Sequence, residues 1–333
     1  MDALTYLFDY PTHEAGSPSG GTGSSAADRG AAALAGLRAV PVADPIVSAL
    51  DSSAERGDGV FETFGVVGGR AQAVRPHLDR LAGSLAQLDI APADLGALER
   101  IVTEVAAQAP HDAEHFLKLV VTRGRAADAG HPRSWIVLSP SADAGKLRRD
   151  GMRLATLDRG FSSTAAQDAP WLLLGAKTLS YATNLAAVRE AHRRGADDAL
   201  FVTSDGYALE GPTSSLIVRI GDTLVTPDPA IGVLHGTTQR AVFDFATGAG
   251  AGAGVGAPDG ADSAAPGGAG AGARRFETLY RALTLDEVRA SDGAWFVSSV
   301  RLAVGITHLD AHPLPFDAAL TAELNHYLLS RRA

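Results

Sequence analysis

Four short apolar runs between residues 199 and 225, each pair closed by a tight turn, limit what this chain can fold into more than any other stretch. Ala199 to Thr203 and Tyr207 to Leu209 flank Ser204-Asp205-Gly206, a hairpin signal. Leu216 to Ile220 and Thr223 to Val225 flank Gly221-Asp222, a second turn of the same kind. Strands are also expected over Phe116 to Thr122, Ser134 to Leu138, Met152 to Leu157 and Ala294 to Ser298, and the glycine-rich turn Arg56-Gly57-Asp58-Gly59 leads into another. Helical spacing recurs in Leu78, Leu81, Leu85 and Leu88, and again in Leu98, Ile101, Val102 and Val105. Leu185 to Arg194, stopped by Gly195, Thr237 to Ala246, and Phe316 to Leu329, capped by Asp317, complete the expected helices, while Thr284 with Glu287 forms a capping box. Strands outnumber βαβ units, so the expectation is α+β with two domains, not a doubly wound sheet. No Gly-x-Gly-x-x-Gly follows a strand, which leaves a dinucleotide fold without support.

Ser139 to Gly151 turns polar and charged and reads as an interdomain linker, which divides the chain into residues 1–139, 140–151 and 152–333. Residues 11–36 and 248–273 are rich in Gly, Ala and Ser and lack the apolar bulk to offset chain entropy, so both read as surface loops without chemistry. An apolar content of 46% is ample for a core elsewhere. The chain has no cysteine, which removes disulfides and thiolate metal sites, and no metal site is expected. A net charge of −9 argues against a general nucleic-acid binder. No run reaches membrane-spanning length, and Met1-Asp2-Ala3-Leu4 lacks the basic start of a secretory signal, so a cytoplasmic protein is expected.

Only three lysines occur: Lys118, Lys146 and Lys177. Lys146 sits in a polar run. Lys177 follows Trp171-Leu172-Leu173-Leu174-Gly175-Ala176, where an ammonium has few partners. Desolvation lowers a lysine pKa and makes it a nucleophile for Schiff-base chemistry, although a stem packed on apolar surface with its head in water is the alternative. Gly236-Thr237-Thr238, just before a helix, offers free N–H groups and hydroxyls for a phosphate, or simply an N-cap. Ser298-Ser299 at a strand end could add hydroxyls to the same phosphate. Glu210 before Gly211-Pro212 is a turn carboxylate, or the partner of a pyridine nitrogen if the site holds such a ring. Arg75, just ahead of a helix, is a surface charge or a phosphate ligand.

In order, Arg-Gly-Asp-Gly-Val-Phe-Glu-Thr (residues 56–63), Arg-Pro-His-Leu-Asp-Arg-Leu (75–81), Lys-Thr-Leu-Ser-Tyr (177–181), Glu-Gly-Pro-Thr-Ser-Ser (210–215) and His-Gly-Thr-Thr (235–238) resemble the motifs of fold-type IV pyridoxal-phosphate enzymes. That family includes branched-chain aminotransferases, D-amino-acid aminotransferases and 4-amino-4-deoxychorismate lyases, and the resemblance runs from about Val47 to Leu314, apart from the low-complexity tracts. It implies a smaller N-terminal α/β sandwich, a larger C-terminal pseudo-barrel, pyridoxal 5'-phosphate as cofactor, and a homodimer with the site between domains. By the same resemblance Lys177 forms the Schiff base and moves the substrate proton, and Glu210 faces the pyridine nitrogen. Arg75, Thr238 and Ser299, with Gly236, Thr237 and Ser298 beside them, hold the phosphate, and Tyr181 lies near the phenolic oxygen. His235 stands where proline is frequent, so this phosphate loop carries a titratable group, and Ser215 stands where asparagine is frequent, which puts the local hydrogen bonding there in doubt.

Phe61-Glu62-Thr63 lacks the glycine that follows Phe-Glu in branched-chain enzymes and looks more like the lyases. The lyase substrate carries two carboxylates, for which Lys118, Arg123 and Arg301 are candidate contacts, and Phe61 is a further candidate for substrate binding. The resulting expectation is a lyase acting on a small amino substrate, releasing pyruvate and the folate precursor 4-aminobenzoate. A transaminase with the same cofactor, and a non-catalytic binder of phosphate ligands, are the alternatives.

Overall fold

The computed structural model describes residues 2–12, 36–128, 131–248 and 276–331. The two low-complexity stretches fall almost wholly outside these residues. The first sheet is built from β1 (Leu4–Phe8), β2 (Leu37–Val40), β3 (Gly59–Val67), β4 (Arg70–Ala71), β5 (His115–Thr122) and β6 (Arg133–Pro140), in the order β2-β1-β6-β5-β3-β4. All its pairings are antiparallel. Two helices, α1 (Val74–Gln87) and α2 (Leu95–Ala106), pack against it with their leucine and valine stripes. Leu78, Leu81, Leu85, Leu98, Val102 and Val105 are essentially inaccessible, each contributing about 1.5–3 kcal/mol of apolar transfer. Asp94 caps α2 by accepting from the Ala97 N–H at 3.0 Å.

The polar run expected as a linker contains a six-residue helix, Gly145–Asp150, and then delivers the chain to a second, larger sheet. Its strands are β7 (Met152–Asp158), β8 (Asp198–Val202), β9 (Ser215–Ile220), β10 (Thr223–Thr226), β11 (Glu277–Tyr280), β12 (Gly293–Ser298), β13 (Leu302–Leu309) and β14 (His312–Pro313). They run in the order β11-β10-β9-β12-β13-β7-β8, with β14 on β13. The sheet is mixed: β7 pairs in parallel with β8 and β13, and β10 with β11, while the rest are antiparallel. Alternation along β12 shows how both faces are covered. Ala294 and Phe296 enter one apolar cluster, Trp295 and Val297 another, which is why this strand reads as an unbroken apolar run. Three helices flank the sheet: α3 (Ala182–Arg193), α4 (Thr237–Thr247) and α5 (Ala318–Ser330). The architecture is the two-domain α+β fold expected.

Both expected hairpins are present. The first is shorter than a full strand pair: Ala208 bridges Val202, and the Thr203 N–H donates to the Tyr207 carbonyl at 2.8 Å. Strands β1, β2, β4, β11, β13 and β14 are additions to what the sequence leads one to expect. Among the described residues no helix is long and apolar enough to cross a membrane.

The halves meet along the unpaired end of β3. Because β4 covers only Val66 and Val67, the Gly59–Phe61 end has a free edge. The loop carrying Lys177 fills it: the Phe61 N–H donates to the Lys177 carbonyl at 3.1 Å and the Leu179 N–H to the Gly59 carbonyl at 2.8 Å. A second tie comes from Arg148, which holds Glu114 at 2.6 and 2.7 Å and also donates to the carbonyls of Val300 and Arg301.

Candidate active site

A cavity of about 750 Å³ opens between the two sheets, and most of the residues singled out from the sequence line it. Lys177, Tyr181, Glu210, Gly236, Thr237, Thr238, Ser298, Ser299, Phe61, Lys118 and Arg301 all do so. Arg75 and Arg123 do not.

Lys177 owes its position to the β3 edge and to Ser84 of α1, whose hydroxyl accepts the Lys177 N–H at 3.1 Å. Its Nζ sits 4.6 Å from the centre of the Phe61 ring and 5.9 Å from that of Tyr181. Burial first, and then the charges of Arg80 and Lys118, lower its pKa to about 8 against the pull of Glu62 and Glu210. Across the cavity, burial raises the Glu210 carboxyl to about 7, opposed by the Leu234 N–H, which it accepts at 3.1 Å, and by Lys177, Arg80 and Arg159. Burial also pushes Tyr181 up to about 12.

Gly236 is the N-cap of α4, and no side chain caps this helix. The threonines are thus not spent on capping, the alternative left open by the sequence. Thr237 Oγ1 and Ser299 Oγ each lie 3.1 Å from His77 Nε2, and Thr238 Oγ1 lies 3.4 Å from Ser299 Oγ. A Cβ at position 236 would stand 2.3 Å from Ser215 Oγ, so only glycine lets the helix start approach β9 this closely. Gly65 of β3 serves the other side in the same way, passing directly beneath the Ser299 carbonyl, 2.5 Å from where a Cβ would be. Ser298 has a different task from its neighbour: its hydroxyl accepts the Arg301 N–H at 3.2 Å and closes the turn.

Two sequence-based candidates are corrected. Arg75 is exposed and pairs with Asp79 one turn on, at 2.8 Å. The arginine of the same motif that reaches the cavity is Arg80. It forks onto buried Glu62 at 2.8 and 2.7 Å and donates to the His235 carbonyl at 3.1 Å. Helical geometry explains the exchange. His77, Arg80 and Ser84 share one side of α1, and Arg75 with Asp79 lies on the opposite one. Arg123 is withdrawn as a substrate contact because its guanidinium is held by Asp58 at 2.6 Å and by the carbonyls of Leu88 and Asp89.

Lys118 and Arg301 remain in place with different partners. Burial lowers the Lys118 pKa, its Nζ lies 4.7 Å from the Phe61 ring centre, and among the described residues no carboxylate pairs with it. Arg301 comes already paired: its Nη2 lies 2.8 Å from Asp198 and donates to Thr213 and Ser214 at 3.0 and 2.6 Å. The sequence reading passed over Arg159, which stacks on Phe201 at 4.6 Å and faces Glu210. His235 turns its ring out of the cavity toward Tyr280. Among the described residues no cluster of His, Asp or Glu is arranged to hold a metal.

These groups fit pyridoxal 5'-phosphate. An uncapped helix start with a glycine and three hydroxyls suits a phosphate. A lysine of lowered pKa suits the aldehyde, and a carboxyl near neutrality on the same cavity suits the ring nitrogen.

The sequence profile of the family described as Amino-transferase class IV matches residues 59–253. A bifunctional aminodeoxychorismate lyase / D-amino acid transaminase from Mycobacterium tuberculosis is 39% identical over 282 residues, covering 81% of this chain and 88% of that protein. The fold IV-transaminase CpuTA1 from Curtobacterium pusillum superposes with a TM-score of 0.80 at 40% identity, over 99% of this chain and 100% of that one. The PLP-bound form of a hypothetical aminotransferase from M. tuberculosis gives 0.76 at 36% identity, over 89% and 97% of the two chains. Motif order, cavity and relatives therefore agree, and the chain belongs to the class IV aminotransferase family of pyridoxal-phosphate enzymes.

Proposed function

We propose that this enzyme is a 4-amino-4-deoxychorismate lyase, releasing pyruvate and 4-aminobenzoate. The observation that carries the reading is Lys118, a half-buried ammonium with no carboxylate partner among the described residues, on the same phenyl ring as Lys177. Such a cation is best satisfied by a substrate carboxylate. The three contacts to Asp198, Thr213 and Ser214 all use Nη2 of Arg301, which leaves its other N–H groups for the second carboxylate.

When bound, the cofactor supplies an electron sink for the substrate carbon that bears the amine. Lys177 in its neutral form removes the proton from that carbon. Glu210, fixed through the Leu234 N–H, keeps the ring nitrogen protonated, and Arg80, Thr237, Thr238 and Ser299 fix the phosphate end. Phe61 and Tyr181, ring centres 5.2 Å apart, pack around the lysine head and exclude water. Once that proton is lost, the ring C–O bond to the enolpyruvyl group breaks and the carbocycle aromatises; the released enolpyruvate takes up a proton to become pyruvate.

D-amino-acid transamination at the same site is a second reading, favoured by the M. tuberculosis relative whose name carries both activities. Purified enzyme given aminodeoxychorismate should form 4-aminobenzoate. Glutamate formation from D-alanine and 2-oxoglutarate, with no aromatic product, would sink the lyase assignment. Lys118→Ala should raise KM for the dicarboxylate about tenfold or more, the worth of one charge-assisted hydrogen bond, and an unchanged KM would remove Lys118 from substrate binding.

The homodimer belongs to the same proposal. Trp171, Leu172 and Leu185 are 75%, 47% and 51% exposed close to the cavity, and large apolar side chains grouped in this way favour a covering surface. Sedimentation equilibrium should return twice the chain mass, and a monomer at micromolar concentration would count against it.

A further inference from the structure

We propose that His77 takes up a proton when a phosphate dianion docks at the start of α4, and thereby turns the hydroxyl hydrogens of Thr237 and Ser299 toward the phosphate. The inference rests on the reading that Gly236–Thr238 and Ser299 receive the cofactor phosphate.

The argument begins with Glu62, which is inaccessible and accepts from Arg80 through both oxygens. Burial by itself would raise the Glu62 carboxyl, but the charge and hydrogen bonds of Arg80 and His77 outweigh it and hold the group well below the usual carboxylate range. A carboxylate only accepts, so the His77 Nδ1 at 2.7 Å must carry a hydrogen. The other nitrogen, Nε2, then decides the direction of everything beyond it. Both Thr237 Oγ1 and Ser299 Oγ lie 3.1 Å away. In the neutral ring Nε2 has a lone pair and draws a hydroxyl hydrogen inward, so that hydroxyl shows lone pairs to an arriving phosphate. In the charged ring Nε2–H donates, and both hydroxyls are free to donate outward.

Charge selects between the two states. The groups facing His77 are Glu62 of β3, Arg80 of its own helix and Lys177 of the loop before α3. Phe64 lies against its ring at 4.7 Å, and Thr237 of α4 and Ser299 after β12 turn their hydroxyls to it. Glu62 and Arg80 neutralise each other, so an added imidazolium is an unbalanced buried charge, and burial lowers the His77 pKa in spite of Glu62. A phosphate dianion beside Thr237 and Ser299 balances that charge. The proton comes from solvent and no covalent bond changes. His77 touches neither substrate nor cofactor; it is a positioning residue acting through two hydroxyls.

The test uses the full chain freed of cofactor and a simple alkyl phosphate, which has neither aldehyde nor ring nitrogen to titrate. Calorimetric titration in two buffers of different ionisation enthalpy should show about one proton more taken up per phosphate by the wild type than by His77→Gln, where Lys177 alone still responds. Above about pH 8, where the ligand is a dianion, wild-type affinity should fall about tenfold more per pH unit than that of the variant, in which only the titration of Lys177 remains. Equal proton uptake and equal slopes overturn the proposal. Because His77→Gln is buried and could misfold, nitrogen NMR of the wild-type histidines provides a reading without any variant. One ring should carry hydrogen on both nitrogens with phosphate bound and on one without it; a ring that stays neutral overturns the proposal. Thr238→Val separates the two levels of inference. If it binds the phosphate as well as wild type, the site reading itself fails, whereas weakened binding with unaltered proton uptake in His77→Gln rejects the role of His77 alone.

Discussion

Alanine at position 177 is expected to lower turnover by on the order of 10³-fold or more, because in the proposed function this side chain both engages the cofactor and moves the substrate proton. Steady-state turnover under cofactor saturation measures this, and a loss below about tenfold would show that another base does the work. The same change should stabilise the cofactor-free protein. With a pKa near 8 in place of 10.5, Lys177 binds fewer protons folded than unfolded between those values. Wild-type stability therefore rises as pH increases through that window, and at pH 7 the charged lysine is a cost. Lys177→Ala should recover about 1–2 kcal/mol at pH 7, allowing for solvent reaching the group through the cavity, and should flatten the pH dependence. Turnover should rise with pH through about 8 as the neutral amine becomes populated.

Breaking the Arg80–Glu62 fork should have the largest effect on stability. Arg80→Met leaves an inaccessible carboxylate with His77 alone, at a cost of about 3–5 kcal/mol in urea unfolding. Its folded pKa is depressed, so the stability it supplies is fully present above the unfolded value near ~4.3 and is lost as pH falls below it. Arg80→Met should be less stable at pH 7 and lose less on acidification than wild type. Replacing Glu62 by Met as well should return part of the loss, because the stranded charge is gone. Additive losses in the double variant would mean that the pair is not coupled.

How far the sequence could be read follows from what each element depends on. Helices α1 and α2 are marked by their own leucine spacing, α5 by its Asp317 cap, and the turns at Ser204–Gly206 and Gly221–Asp222 by local backbone chemistry, so none of these needs a tertiary partner to be recognised. Strand β1 is short and is held by β2 and β6 rather than by any local signal. Strand β13 has glycine in mid-run, where Phe316 packs against Gly305, and its bulge at Ile306–His308 blurs the period of two. At the site, Lys177 was legible because lysine is so scarce in this chain. Arg80 was not, although the signal was available: His77, Arg80 and Ser84 recur at helical spacing, and applying that period to polar residues as well as to leucines separates Arg80 from Arg75. Arg159 had no such signal. It matters through stacking on Phe201 and through facing Glu210, relations that exist only once β7 and β8 lie side by side. Likewise, Arg123 reads as a free cation until the fold brings Asp58 to it.

The loop laid along the free end of β3 has a consequence for how the enzyme comes into being. The contacts that define the cavity join residues 93 apart (Lys177 and Ser84), 160 apart (Thr237 and His77) and 222 apart (Ser299 and His77). Closing chain over such separations costs entropy before any contact repays it, whereas the leucine-striped helices and the hairpins form locally. Secondary structure can therefore be in place while the lysine and the phosphate-binding helix start are still unmatched. The cavity exists only once both sheets are built and joined, so catalytic competence reports on the whole assembled fold.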